Sequence, residues 1–323
     1  MVRRLSWGWL ILGVASLVYP FVFSGAFFRD IGVSVLLAAI SASAWNIVGG
    51  YAGQVSVGHG MFFGAGAYLP LLVYTLWGWP PVLGVPLGVA VSLGLAVVVG
   101  MPTFRLQGHY FSMATIAVAE LIRLVIGTWE LVGAAIGLQG PAVGRGWWDL
   151  TFPSELPYYY LFLAVLVVVL AVTAHVQRTR FGYYLRAVKA GERAARSLGV
   201  PVRRTKLYAL MLSAAFTSVA GSLYSIKTGF IDPESGLGIL VSVQMVIIAA
   251  LGGAGTMAGP VIGALILIPL QTASNTWLGG GGSGLTYIIY GGIIVLLARF
   301  EPGGLVDLWQ RYAPLRPKAD HAA

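Results

Sequence analysis

Cysteine is absent from all 323 residues. That excludes disulfides, iron–sulfur clusters and thiolate metal sites. Histidine is scarce, at four residues, and none stands in a metal-ligand spacing, so no metal site is expected. Charge is scarce as well. Only 10% of the residues are Asp, Glu, Lys or Arg, against about 25% in a soluble domain. A soluble fold of this length with so few charges would leave large apolar areas facing water. None of the four lysines follows a glycine, so there is no P-loop to hold ATP phosphates. Paired carboxylates, a nucleophile elbow and a metal cluster are all missing, and with them any support for an enzyme.

What remains is apolar. Hydrophobic residues make up 58% of the chain and the mean hydropathy is +0.83. Apolar runs near 20 residues recur, and about 20 helical residues cross about 30 Å of hydrocarbon. Ten spans are predicted, over 5–28, 31–49, 56–77, 81–101, 109–128, 158–177, 206–227, 238–257, 259–278 and 284–300; the number falls to eight if two segments are re-entrant. The fold class is therefore all-α, a polytopic membrane bundle forming a single domain over 1–323. The start mimics a secretory signal, with Arg3 and Arg4 before the apolar run from Leu5 to Phe23. That run exceeds a usual signal core and reads as an uncleaved first span.

The charges give an orientation. Two connections are long: 129–157, with Trp147, Trp148, Asp149, Glu155 and Pro157, reads as an interfacial loop. The other, 178–206, holds nine Lys/Arg and one acid, Glu192. With both termini cytoplasmic, 16 Lys/Arg lie inside and only Arg29, Arg145 and Lys227 outside, the asymmetry of the positive-inside rule. The net charge of +9 is thus mostly a topological signal, not a nucleic-acid footprint.

Three segments carry candidate mechanism. The first runs from Gly49 to Gly60 and includes Gly53, Gln54, Ser56, Gly58 and His59. So many glycines and polar residues make a poor continuous helix. Irregular backbone at membrane depth survives only where protein buries it or where it lines a watery cavity, and transporters build substrate sites from such breaks. A tight hairpin with close packing at Gly64 and Ala67 accounts for the same residues. The second segment, Leu251 to Ala264, repeats the theme with Gly252, Gly253 and Gly255. Corresponding breaks in two halves of a transporter point towards its centre. The third runs from Leu185 to Pro201. Glu192 to Leu198 favours helix, Gly199 suits the position after its end, and Pro201 prevents continuation. Ala194, Ala195 and Leu198 form a small apolar face beside Arg193 and Arg196. Such an element fits a groove on a soluble partner or lies on anionic lipid.

Glu120 and Arg123 stand apart. Spaced i,i+3 in the fifth span, they share a helix face, and charges there need each other or an inward cavity. Both a structural ion pair and contact with a zwitterionic substrate fit. Asn46, Gln244 and Asn275 read as interhelical hydrogen-bond partners.

These motifs resemble the permease subunits of ABC importers for branched-chain amino acids. The resemblance rests on Gly50–His59 with Phe62–Tyr68, on Leu106–Phe111 with Glu120–Arg123, and on Tyr208–Tyr224. It continues through Gly229–Pro233, Leu251–Gly255 with Gly259-Pro260, Tyr290-Gly291 and Phe300–Leu305, covering about 30–306. Glu192-Arg193-Ala194-Ala195, ending at Gly199, resembles the loop that couples such permeases to their ATPases. Relatives carry several acids before the Ala-Ala pair; here Glu192 stands alone, which leaves the ion pairs of that loop open.

The resemblance implies a translocation path for hydrophobic amino acids in a bacterial-type cytoplasmic membrane. Asn46, Gly53, Gln54, Ser56, Gly58, His59, Glu120, Arg123, Gly252, Gly253 and Gly255 would border the path. Glu192, Arg193, Ala194, Ala195, Leu198 and Gly199 would couple it to ATP hydrolysis. A homologous second permease, two ATPase subunits carrying ATP and Mg²⁺, and an extracytoplasmic substrate-binding protein are the implied partners; the chain itself would bind no cofactor. A urea or short-amide permease of the same family is the alternative. An ion-coupled secondary transporter would not need the coupling helix at 185–200 and would usually show more intramembrane acids or histidines than Glu120 alone.

Overall fold

The computed structural model describes residues 13–106, 108–141, 146, 148–277, 291–292 and 304–312. The α-helices with defined bounds are thirteen. They are α1 (Gly13–Val22), α2 (Ala26–Asn46), α3 (Gly60–Trp77), α4 (Gly84–Thr103), α5 (His109–Thr128) and α6 (Glu155–Arg178). The second half holds α7 (Arg180–Ala190), α8 (Glu192–Ser197), α9 (Val202–Thr228), α10 (Pro233–Leu237), α11 (Ile239–Gly252), α12 (Gly259–Trp277) and α13 (Gly304–Tyr312). α2 continues into a π-helical turn, Ile47–Tyr51. Two-residue strands, β1 (Leu138–Gln139) and β2 (Phe230–Ile231), pair antiparallel.

Seven segments are long and apolar enough to cross a membrane, and the chain is an all-α polytopic membrane protein. The expected number of ten is not reached among the described residues: 284–300 lies almost wholly outside them, and so does the start of 5–28.

Several expected boundaries move, each for a physical reason. The break between the first two spans falls at 23–25 and not at 29–30. Arg29 and Asp30, whose charges suggested a loop, lie within α2 because partners take up both. Arg29 donates to the Pro20 carbonyl at 3.1 and 3.2 Å, and Asp30 pairs with Lys227. The span expected at 56–77 becomes helical only at Gly60, since 52–59 is the irregular stretch its glycines suggested. The span expected at 238–257 is shortened to α11, which Gly253 terminates. The 178–206 connection holds two helices, α7 and α8, where one was expected.

α2 forms the centre. The most apolar stretch of its span is 83% buried, against 17% for α5 at the rim. Val33, Ala39, Ile40 and Trp45 of α2 pack with Phe162 and Val169 of α6, Ile248 of α11 and Leu267 of α12. α3 crosses α9 closely enough for the Ser222 hydroxyl to reach the Gly66 carbonyl at 2.8 Å. Small residues permit this where lipid offers helices no hydrophobic driving force to associate. Gln244 of α11 donates to Gln271 of α12 at 3.3 Å, an interhelical bond of the kind expected of it. Asn275 lines a cavity with Gln244 and Gln271.

Candidate functional site

The break after α2 is held from all sides. Its backbone turns out of the π turn, and the Gln54 amide returns to the Val48 carbonyl at 3.0 Å. The Trp45 indole donates to the Ser56 carbonyl at 2.6 Å. On α5, the Ser112 hydroxyl donates to the Val55 carbonyl at 2.5 Å and the Thr115 hydroxyl accepts from the Val57 amide at 3.2 Å. The Gly60 amide donates to Ser242 of α11 at 2.6 Å. Buried backbone groups need such partners, and here side chains supply them.

His59 is fully buried. Its Nε2 lies 2.8 Å from the Ser213 hydroxyl, which itself donates to the Ala44 carbonyl at 2.7 Å. Ser213 must therefore accept, so Nε2 carries the proton. Nδ1 then accepts from the Ser56 hydroxyl at 3.1 Å. A neutral imidazole uses one donor and one acceptor, and both are spent within the protein. His59 and Ser56 thus pin the break to α9; neither faces open space. Gly58 sits on the α5 backbone, where an added Cβ would stand 2.4 Å from the Thr115 carbonyl oxygen.

The second glycine segment meets the first. Asn46 donates to the Thr256 carbonyl at 2.8 Å and accepts from the Gly255 amide at 2.7 Å. Gly252 ends α11 and Gly253 follows it, so both lie beside this junction. The two breaks that sequence pairs by composition are thus joined through one asparagine side chain.

The charged helices dock on the same junction. The Lys189 ammonium of α7 donates to the Gly50 carbonyl at 2.7 Å, and Gly53 packs against the Lys189 stem. Gln54 donates to the Glu192 carboxylate at 3.3 Å. Glu192 also pairs with Lys206, whose side chain is only 1% exposed. The ion pairs of this loop were open in the sequence; the cation that Glu192 meets belongs to this chain. Ala195 also departs from expectation. It is buried against Val188, Val200 and Val202, so its small size is required here and it does not belong to an outward face. Arg193, Ala194 and Leu198 do point outward, Leu198 at 81% exposure. Gly199 follows α8 at φ +78°, a left-handed residue after a helix end where glycine has no Cβ penalty.

Glu120 and Arg123 are not brought to this junction. Arg123 Nε donates to Glu120 at 2.9 Å, and a second guanidinium nitrogen lies 3.0 Å from Glu234 of α10. The i,i+3 spacing gave the first pair. Glu234 went unnoticed; its signal was an acid just after Asp232-Pro233, at the start of a further apolar run. Lys206 was missed as well, because it is one of nine cations in its loop and nothing in its neighbours marks it as buried.

The family model described as branched-chain amino acid transport system / permease component matches residues 28–298. The chain belongs to this family. The branched-chain amino acid permease LivM of Salmonella typhimurium is 28% identical, covering 93% of this chain and 74% of its own length. LivM of Methanocaldococcus jannaschii, described as probable, is 23% identical, covering 85% and 83%. The permease protein BraD of Pseudomonas aeruginosa is 22% identical, covering 83% and 91%. No solved structure matches the permease.

Proposed function

We propose that this permease subunit pairs with a homologous second permease to form the path for branched-chain amino acids, driven by separate ATPases. The observation that carries the reading is the face of α5. It bears Glu120 and Arg123, which Glu234 of α10 joins, with side chains 42%, 26% and 66% exposed, on one of the least buried spans. Charges at membrane depth need protein or water around them. A second permease against α5, with a watery path between the two, supplies both. An extracytoplasmic receptor delivers the substrate, and ATP with Mg²⁺ is held by the ATPase subunits, since this chain has no P-loop. The assembled importer, reconstituted with its receptor in vesicles, should take up labelled leucine, isoleucine or valine when ATP is supplied. Uptake of urea with no leucine uptake would replace this substrate class with the alternative one.

The outward face of α8 is the proposed ATPase contact. Arg193, Ala194 and Leu198 present it, while Glu192, Ala195 and Gly199 shape it from behind. Leu198→Asp places a charge at its most exposed apolar point. It should weaken ATPase association about tenfold or more, the effect of losing an interface anchor, and leave the amount of permease in the membrane unchanged. Pull-down and uptake measured together check this; normal values of both would place the contact elsewhere.

Orientation follows from the Lys/Arg asymmetry, with α7 and α8 in the cytoplasm. The chain has no cysteine of its own, so single replacements report cleanly. Ser197→Cys should react with an impermeant maleimide only from the cytoplasmic side, and Ile136→Cys only from the outside. The reverse pattern would invert the topology.

A further inference from the structure

A cavity of about 280 Å³ opens between the π turn, α6, α7 and α9. Its lining holds two chemistries. Ile47, Val176, Leu185 and Leu212 are its apolar members, and Arg186, Lys189, Tyr51 and Gln177 its polar ones. Neither cation has a carboxylate partner among the described residues. Arg186 donates to the Gln177 carbonyl at 2.8 Å and to the Gly182 carbonyl at 3.4 Å; Lys189 donates to the Gly50 carbonyl. Backbone carbonyls carry only partial charge, so both cations keep donors and net charge to offer. The buried Gln177 amide nitrogen faces the Tyr51 oxygen as a donor, so the Tyr51 hydroxyl proton is what lacks an acceptor. A buried donor left without an acceptor costs stability, and here it lines the same space as two cations that have no carboxylate partner.

We infer that this cavity holds the phosphate of an anionic phospholipid. The donors are all of the kind a phosphate accepts from. The cavity lies at the end of α6, where the membrane span closes and the cationic α7 begins. Basic pockets between spans on the cytoplasmic side suit anionic headgroups. The apolar part of the lining decides between sources. A free phosphate would leave Ile47, Val176 and Leu212 facing water, and an acidic peptide would set its backbone polar groups against them. An acyl chain covers them with no such cost. A bound phosphate would also compete with the Gly50 carbonyl for Lys189, so lipid occupancy would act on the tie between α7 and the break after α2.

The test uses the full chain purified in detergent, stripped of lipid and titrated with phosphatidylglycerol or phosphatidylcholine, with retention read by native mass spectrometry. Phosphatidylglycerol should be retained preferentially. Arg186→Gln with Lys189→Gln should weaken that retention about thirtyfold, the effect of two cations beside an anionic lipid. Tyr51→Phe should weaken it about threefold, the effect of one hydrogen bond. Arg203→Gln with Arg204→Gln removes the same charge elsewhere in the loop and should leave retention as it was. Equal loss in that control would mean general surface attraction and would overturn the site. So would equal retention of phosphatidylcholine. Displacement of the lipid by millimolar inorganic phosphate would reassign the cavity to a free anion. Unchanged lipid retention in the Arg186/Lys189 variant, together with lost ATPase association, would reassign it to a protein partner. Because lipid retention requires no transport, these outcomes are independent of the uptake experiment.

Discussion

Glu192→Ala is expected to release α8 from the bundle. The Lys206 ammonium is almost wholly enclosed, beside the Phe104 ring at 5.7 Å, and Glu192 is its carboxylate. Removing one member of a buried pair leaves an uncompensated charge and costs about 3–5 kcal/mol. The same change removes one of the two acceptors of the Gln54 side chain and leaves only the Ala52 carbonyl, so the break after α2 loosens together with α8. The converse variant should be milder. In Lys206→Met it is Glu192 that loses its partner, and at 18% exposure water can reach it. The double variant Glu192→Leu/Lys206→Met should recover most of the loss, because replacing both members with apolar groups is often close to neutral. Thermal unfolding in detergent gives the ranking, and hydrogen exchange over 188–206 locates it. A Glu192→Ala protein that unfolds at the wild-type temperature with unchanged exchange would mean that the pair contributes nothing.

Gly58→Val should abolish uptake to below about a tenth of normal. Its Cβ would stand 2.4 Å from the Thr115 carbonyl oxygen, and that oxygen belongs to the backbone of α5, so no rotamer change relieves the clash. Overpacking of this kind costs about 1–3 kcal/mol and sometimes more. The strain falls on the bonds from Ser112 to Val55 and from Val57 to Thr115, which seat the break against α5. Thr115→Ala should be mild by comparison. It removes the hydroxyl's two bonds, from the Val57 amide and to the Ser112 carbonyl, each worth about 1 kcal/mol, and introduces no clash. Uptake assays normalised to permease in the membrane separate the two. Full uptake in Gly58→Val would show that the close approach to α5 has no bearing on transport.

The spans were legible because lipid imposes one rule over about 20 residues, and α5 appears at the residues expected, 109–128. Both glycine breaks were legible too, since composition alone forbids regular helix there. Their meeting was not. It depends on Asn46, which nothing in its own neighbourhood distinguishes from any polar residue near a helix end. The helix at 192–197 and the left-handed Gly199 were readable from local rules of capping. Which of its faces turns inward was not, since the alternation of Ala194 outward and Ala195 inward is set by Val188, Val200 and Val202. His59 and Ser56 looked like path residues because polar residues within apolar sequence suggest function. The structure spends their hydrogen bonds internally, a distinction that rests on Ser213, more than 150 positions away.

The π turn at Ile47–Tyr51 has a mechanical meaning. A turn of this kind winds one more residue into a loop of helix than its α neighbours do. Rewinding it to ordinary pitch would advance the thread by one residue, rotating all that follows by about 100° and shifting it about 1.5 Å along the axis. One turn of helix thus sets the facing of the break, at the place where Lys189 donates to Gly50 and Gln54 reaches Glu192. Rewinding that turn would change the whole facing of the break while leaving the long, buried shaft of α2 where it is.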